Sequence, residues 1–268
     1  MRRFDNAVVE TTLIPLYMRA KESRREDAIL KDPLAERIIA GIDYDFDSLD
    51  DAPMSYVGCV VRGRYYDERT QKFIHEHARP VVVSIGCGLD TRYQRMGDRR
   101  NAVFYELDLP ELMSLRRKLI PEEGEDHYIE GSLLETDWLD MLRERHPDAQ
   151  FLFIAEGVLM YFTEEQVKGL LTAITDRFTE GELSFDVCGP MMARRGMRPD
   201  SMKDFQAQIR SGVESGREVE EWNPRLHLIE QRSYMEFFRN RWGLMGQTLG
   251  RFPRLCRKFS SLLCFQIA

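Results

Sequence analysis

Short apolar runs alternate with segments of helical periodicity through the middle of the chain. The apolar runs are rich in β-branched and aromatic residues and occupy 81–85, 103–107, 127–130, 151–155 and 182–187. Amphipathic stretches lie between them, at 110–120, 136–145 and 164–178. Strands separated by helices in this way predict a mostly parallel α/β sheet with right-handed crossovers.

The residues before the first strand, 1–78, predict a helical cap. Leu13 to Met18 is rich in apolar side chains. Asp32 followed by Pro33 is typical of an N-cap with proline in the first turn of a helix. A further helical stretch, 57–77, should end before Pro80.

The pattern changes at 190–224, where methionines and arginines cluster. We interpret this stretch as a lid-like insertion over the ligand edge of the sheet. The remainder predicts a strand at 226–230, a basic amphipathic helix near 247–259 and a last strand at 262–267. We therefore expect one domain over all 268 residues, with its sheet-forming core at 79–268.

The first strand runs into a turn that contains two glycines, Gly86 and Gly88. Glycine has no Cβ, so the chain can turn sharply and a ligand can approach the backbone closely. The second strand ends in Glu106 and Asp108, and an acid there can accept hydrogen bonds from ribose hydroxyls. Together these features predict an adenosine-containing cofactor at the edge of the sheet.

The residues after Gly88 favour S-adenosylmethionine over a dinucleotide. A dinucleotide loop has a third glycine three residues after the second, but this position is Thr91, preceded by Asp90. A carboxylate beside a helix N-terminus repels a pyrophosphate and suits a cationic ligand. S-adenosylmethionine carries a sulfonium and an amine and no phosphate. An NAD-dependent oxidoreductase remains the alternative from another enzyme class.

The composition of the chain argues against several classes of partner and site. The net charge of −7 argues against a nucleic-acid partner, which needs a clustered basic surface. Five scattered cysteines without a Cys-x-x-Cys pair argue against a disulfide framework or a structural zinc site and favour a reducing cytoplasm. No apolar run approaches the ~18 residues of a membrane span. The basic tail, 251–258, suits a membrane surface or a core-packed helix with a solvated face; we favour the helix and expect no stable membrane association.

A third block follows the strand at 151–155. Glu156 comes directly after this strand, at the edge where ligands bind in such sheets. Tyr161 lies a few residues further on, and Thr163 with Gln166 predicts a capping box at the next helix. Glu156 is either a ligand-binding group or a charged strand end in water, and Tyr161 is either a site residue or a rim aromatic.

These blocks resemble the signatures of the leucine carboxyl methyltransferase family. The matching letters are GCGLDTR at 86–92, YELDLP at 105–110 and AEGVLMY at 155–161. LIPLYMRA at 13–20 and ILKDPLA at 29–35 resemble the N-terminal blocks of the family's bacterial branch, which includes polyketide O-methyltransferases. The resemblance extends from about residue 8 to the end of the chain.

The resemblance implies a class I S-adenosylmethionine-dependent methyltransferase. Its fold would be Rossmann-like, with seven strands and the last one antiparallel. It also implies that the glycine loop cradles the amino-acid part of the cofactor and that an arginine before the first strand grips its carboxylate. Arg62 stands at the matching position, and a planar guanidinium suits a bidentate grip. Arg19 and Lys21 are further cationic candidates.

The resemblance also suggests how the nucleoside is held. Asp108 matches the family's ribose-binding acid, with Glu106 as its rival because the register at a strand end is uncertain by a residue or two. Ser132 and Leu133 would flank the adenine. The eukaryotic pattern has an aspartate where this chain has Ser132, so this chain departs from that pattern at the contact to the adenine amino group.

The resemblance implies a carboxylate acceptor. A carboxylate, with a pKa near ~4, is already ionised at neutral pH, so no general base is assigned. Asp90 and Glu156 would meet the cofactor's ammonium group. Tyr17 and Tyr161 are hypothesised to orient the acceptor, and 190–198 to line its pocket. We expect a small-molecule acid as substrate, with a protein C-terminal carboxylate or a non-catalytic binding protein as alternatives. The oligomeric state is left open.

Overall fold

A computed structural model of the chain describes residues 10–194, 199–203 and 205–268. Within these residues one sheet of seven strands forms the centre of the molecule. The strands are β1 Pro80–Ile85, β2 Val103–Asp108, β3 Asp126–Glu130, β4 Gln150–Ala155, β5 Gly181–Cys188, β6 Leu226–Arg232 and β7 Ser260–Ile267.

The strand order is β3-β2-β1-β4-β5-β7-β6. The first five strands pair in parallel, and β7 runs antiparallel to both of its neighbours. The class I methyltransferase topology expected from the sequence, with an antiparallel last strand, is therefore confirmed. The chain order reverses between β1 and β4, and in open α/β sheets this reversal opens a crevice at the carboxyl ends of the strands.

Helices cover both faces of the sheet. In chain order they are α1 Leu13–Ser23, α2 Pro33–Gly41, α3 Pro53–Glu76, α4 Arg92–Arg95, α5 Pro110–Leu119, α6 Asp137–Arg145, α7 Glu164–Arg177, α8 Pro190–Arg194, α9 Gly216–Trp222, α10 Gly243–Leu249 and α11 Pro253–Cys256. The predicted caps are present: Asp32 accepts a hydrogen bond from the Ala35 N–H at 3.0 Å, and Thr163 and Gln166 form a capping box.

Side chains of β1 alternate between two apolar layers, as the two-residue period of a strand requires. Val81 and Val83 pack with Leu142 of α6 and Ile174 of α7 on one face. Val82 packs on the other face, in a second cluster that includes Phe73 of α3. Because both faces are covered, β1 is buried along its whole length and holds its carboxyl end in a fixed position.

The prediction of one helix near 247–259 is wrong. The structure has two short helices there, α10 and α11, separated by Gly250 to Phe252. Pro253 lacks the N–H that a continuous helix needs, and its ring excludes helical geometry at Phe252, which has φ −119° and ψ 74°. A single amphipathic helix with a packed inner face therefore does not form.

Candidate active site

A cavity of about 560 Å³ opens at the carboxyl edge of the parallel strands. The ends of β1 and β4 form its floor, and its walls come from α1, α3 and the segments that follow β5 and β6. This volume is usual for a small-molecule site. The residues predicted from sequence that line it are Arg19, Arg62, Gly86, Gly88, Asp90, Asp108, Glu156 and Tyr161.

The glycine turn after β1 brings bare backbone to the cavity. Gly86 and Gly88 have φ values of +69° and +55°, which residues with a side chain adopt at a cost. The Gly86 N–H donates to the Leu107 carbonyl at 2.8 Å, so the turn is anchored on β2. A Cβ on Gly88 would lie 3.3 Å from Thr12 in the cavity wall. Glycine therefore keeps this part of the wall open.

Asp108, at the end of β2, lines the cavity next to this turn. Its two oxygens accept hydrogen bonds from the N–H groups of Gly88 and Leu109, each at 2.8 Å. Glu106 lies on the same face of the strand, but two residues deeper, and is fully buried away from the cavity. Of the two candidate acids, only Asp108 is placed to reach a ligand.

Three other predicted residues lie outside the cavity. Ser132 donates its N–H to Glu135 at 3.3 Å in the loop after β3, and Leu133 packs into the core. Tyr17 donates its hydroxyl to Asp50 at 2.7 Å, on the outer side of α1. Burial and the Asp50 carboxylate raise the pKa of Tyr17 to about 12. The positions of these side chains do not support direct ligand contacts.

Lys21 contacts the same carboxylate as Tyr17, that of Asp50. Its Nζ lies 2.6 Å from Asp50 Oδ1, and about two fifths of its side chain is exposed. It does not line the cavity. Of the cationic candidates on α1, only Arg19 therefore faces the site.

Arg62 projects from α3 into the cavity wall. Its Nε lies 3.1 Å from Glu156 and its Nη1 3.2 Å from Asp186, which is fully buried on β5. The guanidinium packs directly on Gly157, whose φ is +71°. Burial alone would lower the pKa of Arg62, but the two carboxylates raise it well above its ordinary value. Arg62 is therefore a fixed positive charge, and its Nη2 has no hydrogen-bond partner within the described residues.

A buried ion network lies beneath the glycine turn. Arg92, at the start of α4, pairs with Asp67 and Asp90 at 3.0 Å each and with Glu156 at 2.6 Å. Arg95, one turn later, pairs with Asp67 at 2.7 Å and also with Asp90. Burial alone would raise the pKa of the Asp90 carboxyl, but the neighbouring guanidinium groups hold it well below its usual range. We assigned no role to Arg95 from the sequence, and Arg92 appeared there only as a letter of a motif.

Arg19 links the N-terminal cap to this network. Its Nε lies 2.8 Å from Asp32, the N-cap of α2, and its Nη2 donates to the Leu89 carbonyl at 2.9 Å. Asp32 also accepts a hydrogen bond from the Thr91 hydroxyl. The cap and the glycine turn are thus tied by the same buried carboxylate.

Comparison with known proteins identifies the family of the chain. A model of the leucine carboxyl methyltransferase family matches residues 12–175, which is more than half of the chain. The chain belongs to this family. The tetracenomycin polyketide synthesis O-methyltransferase TcmP of Streptomyces glaucescens is 30% identical over 229 residues, covering 85% of this methyltransferase and 84% of TcmP. A putative S-adenosyl-L-methionine-dependent methyltransferase of Mycobacterium marinum is 31% identical over 194 residues, covering 66% and 64% of the two chains.

Solved structures show the same fold at low identity. A DUF574 family protein of Streptomyces avermitilis aligns with a TM-score of 0.59 at 14% identity, covering 98% of this methyltransferase and 100% of that chain. A putative methyltransferase of Thermobifida fusca gives 0.53 at 12% identity, covering 93% and 94%. Family membership confirms the predicted enzyme class and the S-adenosylmethionine cofactor, and it excludes the NAD-dependent oxidoreductase.

Arg116 supports the glycine turn of the methyltransferase from behind. This fully buried residue of α5 donates from Nη1 to the main-chain carbonyls of Gly88 at 3.2 Å and Asp90 at 2.5 Å. Its Nη2 lies 3.9 Å from Glu106, whose two oxygens have no hydrogen-bond partner in the described structure. Burial raises the pKa of Glu106 to about 8. No sequence signal pointed to Arg116, because its partners come from other elements.

The far end of the cavity is apolar. Tyr161 lies here, with its hydroxyl 3.9 Å from the Met202 sulfur. Burial raises the pKa of Tyr161, so its hydroxyl stays protonated at neutral pH. The other residues around it include Cys59, Met160, Met192, Met235 and Trp242. Residues 195–198 of the stretch predicted to line this pocket lie outside the described residues.

Asp200, in the segment 199–203 after β5, is hydrogen-bonded to the start of α3. Its carboxylate accepts hydrogen bonds from the N–H groups of Met54 and Ser55 at 2.9 Å each, and from Ser201 at 3.1 Å. It therefore caps the helix that carries Arg62 and holds residues 199–203 over the apolar end of the cavity. This cap could not be predicted from the sequence, because Asp200 lies about 145 residues from the helix start that it caps.

Neither metal binding nor membrane spanning finds support in the described part of the chain. No group of three or more metal-ligating side chains occurs within residues 10–194, 199–203 and 205–268. In those same ranges, no helix combines the length and the apolar character that crossing a membrane requires.

Proposed function

We propose that this methyltransferase esterifies a carboxylate of a small, largely apolar molecule. The observation that carries the proposal is the lack of a free base among the described residues that line the cavity. Among the described lining residues there is no histidine or lysine. Tyr161 is protonated, and Tyr234 has a pKa raised well above its ordinary value by burial and by Asp186. Neither group can remove a proton from an acceptor at neutral pH.

The four carboxylates that line the cavity are already engaged. Asp90 and Glu156 pair with arginines. Asp108 accepts two main-chain hydrogen bonds, and Asp200 caps α3. An acceptor that must lose a proton, such as an alcohol, would find no base here. A carboxylic acid, with a pKa near ~4, arrives ionised.

The cofactor end of the cavity fits S-adenosylmethionine. Asp108 would accept hydrogen bonds from the ribose hydroxyls, and Arg62 would bind the carboxylate through its unpaired Nη2. Asp90 and Glu156 would face the ammonium group, while Gly88 allows close approach to the backbone. When bound, the cofactor supplies an electrophilic methyl group on a sulfonium.

The protein would then contribute alignment and exclusion of water. The ion network fixes the floor of the cavity, and Asp200 holds residues 199–203 over its apolar end. Tyr161 would orient the acceptor by a hydrogen bond from its hydroxyl. Orientation of this kind can contribute roughly 7–11 kcal/mol to a bimolecular reaction.

Two further observations support a small acid in a reducing compartment. TcmP acts in the synthesis of a polyketide, and the apolar, sulfur-rich end of the cavity suits such an acceptor. All five cysteines are free, which fits the cytoplasm.

The proposal is tested by identifying the methylated product. Purified protein is incubated with methyl-labelled cofactor and aromatic acids, each paired with its primary amide and its primary alcohol, and with a peptide bearing a C-terminal leucine. We expect label on the aromatic acids and not on their amides, their alcohols or the peptide, in a product that releases methanol in base. A base-stable ether, or label on the peptide alone, would contradict the proposal. Cofactor binding without any product would indicate a non-catalytic protein.

A further inference from the structure

The chain has one strongly basic segment, residues 237–259. It contains six lysines and arginines, and no Asp or Glu occurs from 237 to the end of the chain. The whole protein has a net charge of −7, so the residues outside the segment carry −13. This charge separation favours an anionic partner for the basic segment.

The same segment exposes large apolar side chains. Seven such residues are exposed in the described ranges, and four of them lie here: Phe238 is 41% exposed, Leu244 87%, Phe252 59% and Leu255 40%. Phe252, directly before Pro253, and Leu255, within the short helix α11, are both exposed to solvent. More than half of the large exposed apolar side chains in the described ranges therefore lie between residues 238 and 255.

Most of the cations of the basic segment are unneutralised. Arg241 pairs with Glu22, and Arg257 lies 3.5 Å from Glu236. The four others are exposed and have no ion-pair partner within the described residues: Arg239, Arg251, Arg254 and Lys258. Their charge is therefore available to an external surface.

The inner side of the basic segment forms part of the cavity wall. Trp242, Leu249 and Phe259 line the apolar end, where the acceptor is expected. The segment thus separates that end of the cavity from solvent. A surface that docks here lies next to the apolar end of the cavity.

We propose that the basic segment docks reversibly on a membrane that contains anionic lipid. Exposed leucine and phenylalanine side chains insert at the level of the headgroups, while neighbouring arginines contact the anionic lipids. Both classes of side chain alternate along this segment, as they do in interfacial anchors. An acidic protein would neutralise the arginines, but it would leave the scattered apolar side chains without a common apolar phase. This docking is independent of the acceptor's identity.

The test is flotation of the full-length protein with vesicles of phosphatidylcholine alone or mixed with phosphatidylglycerol. We expect binding only to the mixed vesicles, weakened by added salt. Arg251→Gln with Arg254→Gln should reduce the partition coefficient about fivefold for each charge removed. Leu244→Ser should also weaken binding, whereas Ile229→Ser, which removes an apolar side chain that is 46% exposed on β6 and lies outside the basic segment, should not.

Each variant is accepted only if its affinity for S-adenosylhomocysteine is unchanged, which shows that it is folded. Failure of the wild type to bind anionic vesicles overturns the proposal, as does equal binding by all variants. Salt-sensitive binding to an acidic protein without binding to vesicles overturns it in favour of a protein partner. A dimer in sedimentation that Leu244→Ser dissociates overturns it in favour of a second copy of the chain. None of these outcomes depends on whether a carboxylate is methylated.

Discussion

Gly157→Ala probes the contact on which the position of Arg62 depends. A Cβ at Gly157 would lie 2.7, 2.8 and 2.9 Å from the Nη2, Nη1 and Cζ atoms of Arg62. Ordinary van der Waals contact begins near 3.4 Å, so the guanidinium must move. It is held by Glu156 and Asp186, and a shift of this size lengthens both ion pairs.

The expected loss of stability has two parts. The φ of +71° at residue 157 costs a residue with a side chain about 1–2 kcal/mol. Breaking a buried ion pair by displacing one partner costs about 3–5 kcal/mol. Since Arg62 retains some of its contacts after moving, we expect a total of about 3–5 kcal/mol.

Urea unfolding measures this loss, and calorimetry with S-adenosylhomocysteine measures the effect on the site. We expect the affinity to fall at least tenfold, because Arg62 no longer presents its free edge to the ligand. Gly169→Ala is the matched control. Gly169 lies within α7 with no atom within 4 Å of a built Cβ, so alanine should stabilise the helix by about 0.5–1 kcal/mol and leave affinity unchanged.

Gly157→Ala in an Arg62→Met background separates the backbone strain at residue 157 from the cost of displacing the guanidinium. Without the guanidinium, Gly157→Ala should cost only the backbone strain, and it should not reduce the remaining affinity further. If Gly157→Ala costs the same free energy with and without Arg62, the contact is not what requires glycine at this position.

Three further substitutions test neighbouring parts of the site. Arg116→Met should weaken S-adenosylhomocysteine binding at least tenfold, since the carbonyls of the glycine turn lose their donor. Arg117→Met should not, because Arg117 is exposed and shares with Arg116 only the contact to the ring of Tyr128. Tyr161→Phe should lower kcat by at least fivefold and leave cofactor affinity within twofold. A loss of cofactor affinity would show that Tyr161 acts on the cofactor and not on the acceptor. Burial raises the pKa of Glu106 to about 8, so the folded protein holds a proton that the unfolded chain releases. The stability of the wild type should therefore fall between about pH 5 and pH 8, and Glu106→Gln should flatten this fall in urea unfolding at several pH values.

Much of the fold was readable from local patterns. The β-branched run at 81–85 predicted a buried strand, and β1 covers it with one additional residue, Pro80. The caps at Asp32 and Thr163 were visible because their partners lie three residues away. Local spacing determines such features, so no knowledge of the tertiary structure was needed.

The parts of the site that escaped prediction depend on contacts between distant segments. Glu106 and Asp108 share a strand face, and only the depth of burial separates their environments. Arg116 meets the glycine turn because α5 packs beside β2. Tyr17 looked like an acceptor contact, but Asp50, in the loop before α3, binds its hydroxyl.

The tail shows how one residue changes an interpretation. Apolar and basic positions at 247–259 have helical spacing, but Pro253 divides the stretch. The apolar side chains that a continuous helix would have buried are instead exposed at Phe252 and Leu255.

The central claim is that the acceptor enters the site already ionised, because the described residues that line the cavity supply no base. The most direct measurement is the pH dependence of kcat, at saturating cofactor, for an aromatic acid and for the phenol of the same ring. We expect transfer to the acid at a rate that changes less than twofold from pH 6 to pH 9, and no transfer to the phenol. Transfer to the phenol with a rate that rises about tenfold per pH unit, or the same rise for the acid, would contradict the account.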